Sequence, residues 1–154
     1  MKKRLEIFID GACQGNPGEA SVGVVLKEDG EIIKEISRSI GLATNNMAEY
    51  AALVQALQEA VHLKADELKI HTDSELLYNQ VTGQYQLKSE NLKSLFGQVA
   101  ELAKAFKHIE IKKIPREQNK LADQLSKKAL KIKQAKVIAP LFKRSGEESP
   151  SSTG

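Results

Sequence analysis

Apolar and polar residues alternate through the first forty positions and then give way to a helical repeat, and this switch divides the chain. Leu5, Ile7 and Ile9 fall on one side and Phe8 on the other, which predicts a strand over Leu5–Asp10 covered on both faces. Gly15-Asn16-Pro17-Gly18 reads as a turn, Val22–Leu26 as a second strand, Asp29-Gly30 as a hairpin and Glu31–Ile40 as a third strand. From Asn46 to His62 the residues Met47, Tyr50, Val54, Leu57 and Val61 recur at steps of three and four, with Gln55, Gln58 and Glu59 opposite them. That spacing predicts an amphipathic helix. Leu68, Ile70 and Thr72 alternate within a strand over Asp66–Asp73, and a short helix follows from Ser74 to Val81, broken by Thr82-Gly83. A longer helix is expected over Ser89–Phe106. Ile109, Ile111 and Ile114 then mark a strand closed by Pro115, and a last helix runs from Asn119 through Leu121, Leu125 and Ile132.

Three strands, a helix, a strand, two helices, a strand and a helix describe an α/β protein. Its mixed sheet would be antiparallel in the first three strands and parallel where crossovers join the later ones. At 154 residues, with 41% apolar and 28% charged residues, the chain suits one soluble domain, placed at residues 1–135. The tail, 136–154, is expected to dock in part through Val137–Phe142 and to be disordered from Ser145. The single Cys13 excludes an internal disulfide framework. The basic start Met1-Lys2-Lys3-Arg4 is followed by an apolar run interrupted at Glu6 and stopped at Asp10, so no export signal or membrane span is expected and the protein is read as a cytoplasmic monomer. A net charge of +3 argues only weakly for a polyanionic partner, yet Lys127, Lys128, Lys131, Lys133, Lys136, Lys143 and Arg144 gather late in the chain.

The chemistry rests on carboxylates. Asp10 and Asp73 each close a predicted strand, and if those strands are parallel neighbours both acids leave the same carboxyl edge, where open α/β sheets place their sites. Asp10 also reads as an ordinary turn residue, and Asp73 as an N-cap of the helix that follows. Glu49 stands near Leu53, Ala56 and Ala60 at the border of the apolar stripe, although a first-turn glutamate favoured by the helix dipole is the alternative. Asp123 points away from the stripe of Leu121, Leu125 and Ile132, and its pattern alone describes a solvated surface acid. Two carboxylates about 4 Å apart repel by roughly 4 kcal/mol at an effective dielectric near 20, so a convergent set requires cations. All-oxygen ligands suit Mg²⁺ or Mn²⁺; His62, His71 and His108 show no ligand spacing.

Four segments in order, "IDGACQGNPG", "TNNMAEY", "HTDSELL" and "NKLADQLS", resemble the signature segments of ribonuclease H of type 1 over Lys3 to Leu130. The resemblance implies a ribonuclease H-like fold, and an endonuclease that hydrolyses the RNA strand of RNA–DNA hybrids with two Mg²⁺ or Mn²⁺ ions, leaving 5′-phosphate and 3′-hydroxyl ends. It carries the metal-binding and catalytic roles onto Asp10, Glu49, Asp73 and Asp123. It carries substrate contacts onto Gly11, Cys13 and Asn16 in a loop facing RNA, onto the amides of Asn45 and Asn46, and onto Thr44 at a phosphate of the DNA strand. Helix capping is the plainer role for the two asparagines. Duplex RNA stays open as a second substrate. A DNA-cleaving relative of the same fold and a hybrid-binding module without cleavage are the competing readings; the asparagine pair argues against the first and the full set of acids against the second.

The chain departs from that pattern twice. Ile114-Pro115-Arg116-Glu117-Gln118-Asn119, before the last acid, contains no His, so Arg116 or Glu117 either replaces it or is an ordinary loop charge. The basic, Trp-containing handle of some relatives is missing, since the chain has no Trp and only Gln84 to Lys88 joins the two middle helices. Lys88, Lys93 and the lysines after Asp123 either substitute for it in hybrid binding or simply form a solvated helix face.

Overall fold

The computed structural model describes residues 2–83 and 89–130. The linker 84–88, the tail and the lysines beyond 130 lie outside the described residues. Strands β1 (Arg4–Gly15), β2 (Gly18–Glu28) and β3 (Glu31–Ala43) form an antiparallel meander. Helix α1 (Asn45–His62) leads to β4 (Glu67–Thr72), α2 (Glu75–Val81), α3 (Glu90–Ala103) and β5 (His108–Lys113). A 3-10 turn at Arg116–Gln118 precedes α4, residues 120–130. The described strands make one mixed sheet in the order β3-β2-β1-β4-β5, with β4 parallel to both β1 and β5. Among the described residues no helix is long and apolar enough to cross a membrane.

Alternation along β1 sorts the two faces as the sequence predicts. Leu5, Ile7 and Ile9 enter the main core with Leu53, Leu57 and Ile70, beneath α1 and α3. Phe8 packs on the opposite face, against Val25, Ala122 and Leu125 beneath α4. Asp29 and Gly30 both take positive φ, 52° and 82°, the conformation a two-residue hairpin of this hand requires.

Strand lengths differ from expectation. β1 does not stop at Asp10. It continues to Gly15, because its antiparallel ladder with β2 runs unbroken to the Gly15 and Gly18 pair. What stops near Asp10 is the parallel ladder, whose last β1 pair is Phe8 with His71. Gly11 and Cys13 therefore lie in a strand rather than a loop, and the turn itself is Asn16-Pro17.

Candidate active site

Register brings the first two acids together. Two residues beyond the Phe8 and His71 pair lie Asp10, in β1, and Asp73, one residue past the end of the parallel strand β4. Asp73 sits just outside β4 and does not cap α2; the Ser74 hydroxyl accepts from Leu77 N instead. Glu49 arrives from the start of α1, where the chain comes unusually close to β1. A Cβ on Gly11 would overlap the Ala48 carbonyl and Glu49 N, so only glycine admits this approach. Gly11 N then donates to Glu49 Oε1 at 3.1 Å. The result is a cluster in which one carboxylate oxygen each from Asp10, Glu49 and Asp73 lies within 4.8 Å of the others.

Asp10 and Glu49 are 5% and 6% exposed, little for two ionisable groups. Burial, followed by the charge of Asp73, pushes the Asp10 carboxyl from 3.8 up to about 7, against the lowering effect of a hydrogen bond from Ser126 Oγ at 3.0 Å. Burial also raises Glu49 well above its ordinary value, with Asp10 and Asp73 adding repulsion that the Gly11 amide and the Arg116 charge only partly offset. At such separations each ionised pair costs about 3–4 kcal/mol at an effective dielectric near 20. Among the described residues, no Lys or Arg forms an ion pair with any of the three. This donor set, entirely oxygen, crowded and short of positive charge, fits a hard divalent cation.

Asp123 stands apart from that trio. It is half-buried on α4 and bonded to Lys127 Nζ at 3.1 Å, yet its charge and carboxyl both act on Asp10. The large residues Leu121 and Leu125 suggest the wrong stripe for this helix. Its buried face is Ala122, Leu125, Ser126 and Ala129, which turns Asp123 toward the cluster instead of toward bulk solvent. The contact of α1 likewise extends beyond its expected stripe: Val61 is 41% exposed, while Ala48, Ala52, Ala56 and Ala60 are buried and Glu49 lies inside the packed face. Glu49 also falls beyond the first turn, which contains no acid, so the dipole reading does not hold.

The residues expected to touch substrate fall in β1, in the β1–β2 turn and at the start of α1, the helix that carries Glu49. The α1 N-cap is Thr44, whose Oγ1 accepts from Met47 N, so Asn45 and Asn46 do not cap the helix and their side chains are exposed. Asn16 Oδ1 accepts from Asn45 N at 2.9 Å and ties the β1–β2 turn to the helix start. Cys13 Sγ donates toward Gly15 O and Ala43 O in the same corner. Gly11 is buried. Of the expected lysines within the described residues, Lys93 pairs with Glu90 and Lys127 with Asp123, while Lys128 is exposed.

Two residues escape reasoning from sequence. Asn119, 1% exposed, donates through Nδ2 to Ile9 O at 2.8 Å and to Asp73 Oδ2 at 3.2 Å, joining the start of α4 to both acid-bearing strands. Ser126 holds Asp10. Both stand in view as the ends of the segment "NKLADQLS", at helical spacing from Asp123, four residues before and three after, but the pattern assigns neither a role.

A family model described as reverse transcriptase-like matches residues 8–129. The ribonuclease HI of Halobacterium salinarum is 39% identical over 128 residues, 82% of this chain and 64% of that protein. A crystal structure of RNase H1 from the same archaeon superposes with a TM-score of 0.81 at 40% identity, covering 83% of this chain and 98% of that one. LC11-RNase H1, solved in complex with an RNA/DNA hybrid, gives 0.80 at 34% identity, covering 84% and 99%. The chain spans from 43% to 64% of the length of the first curated relatives it matches. The match across both sheet halves and α4, together with these likenesses, shows that the chain belongs to the type 1 ribonuclease H family.

Proposed function

We propose that this chain hydrolyses the RNA strand of RNA–DNA hybrids, with Asp10, Glu49 and Asp73 holding divalent cations and Asp123 completing the set. The observation that carries the reading is the trio of carboxylate oxygens within 4.8 Å, two of them on nearly inaccessible side chains. Burying uncompensated like charges is costly, and a fold keeps such an arrangement when a cation completes it. Two Mg²⁺ or Mn²⁺ ions would supply a water activated for in-line attack at phosphorus and stabilisation of the leaving oxygen, consistent with 5′-phosphate and 3′-hydroxyl products.

The protein's own groups hold the ligands in place. Gly11 N–H orients Glu49 and Asn119 Nδ2 orients Asp73. Arg116, whose positive charge reaches Glu49, stands in the loop that has no His. A guanidinium keeps its charge across the working pH range and can bind a phosphate oxygen, but it cannot shuttle a proton as imidazole does. Selectivity for RNA would come from Asn45, Asn46, Asn16, Cys13 and Thr44, because the wide, shallow minor groove of a hybrid offers 2′-hydroxyls to polar side chains and close backbone. The complex of LC11-RNase H1 with a hybrid supports the substrate class.

The deciding experiment incubates the protein with labelled hybrid, duplex DNA, duplex RNA and single-stranded RNA in Mg²⁺, Mn²⁺ or chelator. Cleavage of the hybrid's RNA strand, abolished by chelator, is expected. Cleavage of duplex DNA, or hybrid binding with no cleavage in either metal, would overturn the proposal.

A further inference from the structure

Ser126 is fully buried on the face of α4 that meets the sheet, and its hydroxyl has one proton and two acceptors. One acceptor is the Asp123 carbonyl at 2.8 Å, the usual recipient for a serine inside a helix; the other is Asp10 Oδ2 at 3.0 Å. The backbone around this serine is fixed independently of Asp10. Ser21 Oγ donates to the Ser126 carbonyl and Ser37 Oγ donates to the Leu125 carbonyl at 2.5 Å, so β2 and β3 each grip the helix. Gly23, the β2 residue paired with Asp10, admits the contact, since a Cβ there would overlap Ala122 O and Ser126 N. The hydroxyl is thus presented from a clamped support to the Asp10 carboxylate, buried in β1.

We infer that Ser126 is a positioning residue for the cation site: it gives its single proton to Asp10 Oδ2 in preference to the Asp123 carbonyl and so holds the Asp10 carboxylate in one orientation. The inference rests on the reading of Asp10 as a cation ligand. A group that orients a ligand in this way typically changes metal affinity by about 10–100-fold. A serine that merely fills space beneath α4 would satisfy itself on the Asp123 carbonyl, and its removal would leave the cation site unchanged.

The test is calorimetric titration of metal-stripped protein with Mn²⁺, comparing wild type with Ser126→Ala, Ser37→Ala and Asp10→Asn. Ser126→Ala is expected to bind Mn²⁺ about tenfold more weakly. It should lower kcat on hybrid while leaving KM unchanged. Ser37→Ala removes a tie on the same helix without touching Asp10 and should bind like wild type. Wild-type affinity in Ser126→Ala overturns the inference. So does an equal loss in Ser37→Ala, which would assign the effect to helix docking. Undiminished binding by Asp10→Asn would bring down the underlying ligand assignment together with the inference, and is distinguishable from the other two results.

Discussion

The acids fall into two pairs that differ in how the fold treats them. Asp10 and Glu49 are nearly inaccessible, held by a hydroxyl and a backbone amide, and pushed toward protonation by burial. Asp73 and Asp123 lie at the margin, the first steadied by Asn119 and the second by a solvent-facing lysine. The inner pair is therefore a structural cost that a bound cation would relieve, whereas the outer pair is more open to solvent. Positions of high cost mark where the site depends on rigid geometry.

The largest effect should come from Asp10→Asn, which removes an inner ligand while keeping its shape. Cleavage of labelled hybrid under single-turnover conditions should fall at least ~10³-fold, or about 4 kcal/mol in barrier. Hybrid binding in chelator should stay close to wild type. Asp123→Asn should cost less in the same assay, roughly tenfold to a hundredfold, because the outer carboxylate is partly solvated and already shared with Lys127. Equal losses would erase the distinction between the pairs.

A second effect is visible without substrate. The Asp10 carboxyl is raised from 3.8 to about 7 in the fold, so between those pH values the native state holds a proton that the unfolded chain has released. Stability of metal-free protein should therefore fall as pH rises through this window, with Glu49 acting in the same direction. The Asp10 contribution is on the order of 2–4 kcal/mol, measured by urea unfolding in chelator at pH 5 and pH 8. Mn²⁺ should restore stability at pH 8. Asp10→Asn should be more stable than wild type in chelator at pH 8 and respond little to the metal.

Gly23→Ala sharpens the comparison from the outer side, since the added methyl meets Ala122 O and Ser126 N. We expect a loss of about 1–3 kcal/mol in denaturant unfolding, as overpacking usually costs. Thr44→Ala should have the smallest effect, about 1 kcal/mol for the lost α1 cap, read from the same unfolding curves.

Large apolar residues made the sheet legible. Leu5, Ile7, Ile9 and Phe8 announce a strand covered on both faces, and Asp29-Gly30 a hairpin, as found. The helix faces were harder to read for a definite reason. α1 and α4 approach the sheet through Gly11 and Gly23, and the surfaces that fit so close are made of alanine and serine. The α1 stripe through Met47, Tyr50, Val54, Leu57 and Val61 meets the core except at Val61, but the contact extends beyond it over Ala48, Ala52, Ala56 and Ala60, and on α4 the stripe through Leu121 and Leu125 misses Ala122, Ser126 and Ala129. Those small residues left Glu49 at a border when it is buried, and Asp123 in solvent when it borders the cluster. The end of β1 was misplaced for a related reason: Gly-Ala-Cys-Gln-Gly has little side chain, yet its ladder with β2 runs on. Asn119 and Ser126 are the ends of the segment "NKLADQLS" but drew no role from it, because polar residues that serve a buried acid look like any others on a helix.

The most direct test is anomalous diffraction from a crystal soaked in Mn²⁺. An anomalous peak bounded by carboxylate oxygens of Asp10, Glu49 and Asp73 is predicted, and it should vanish in Asp10→Asn. A wild-type map with no peak at these oxygens, at a Mn²⁺ concentration that supports cleavage, would contradict the account.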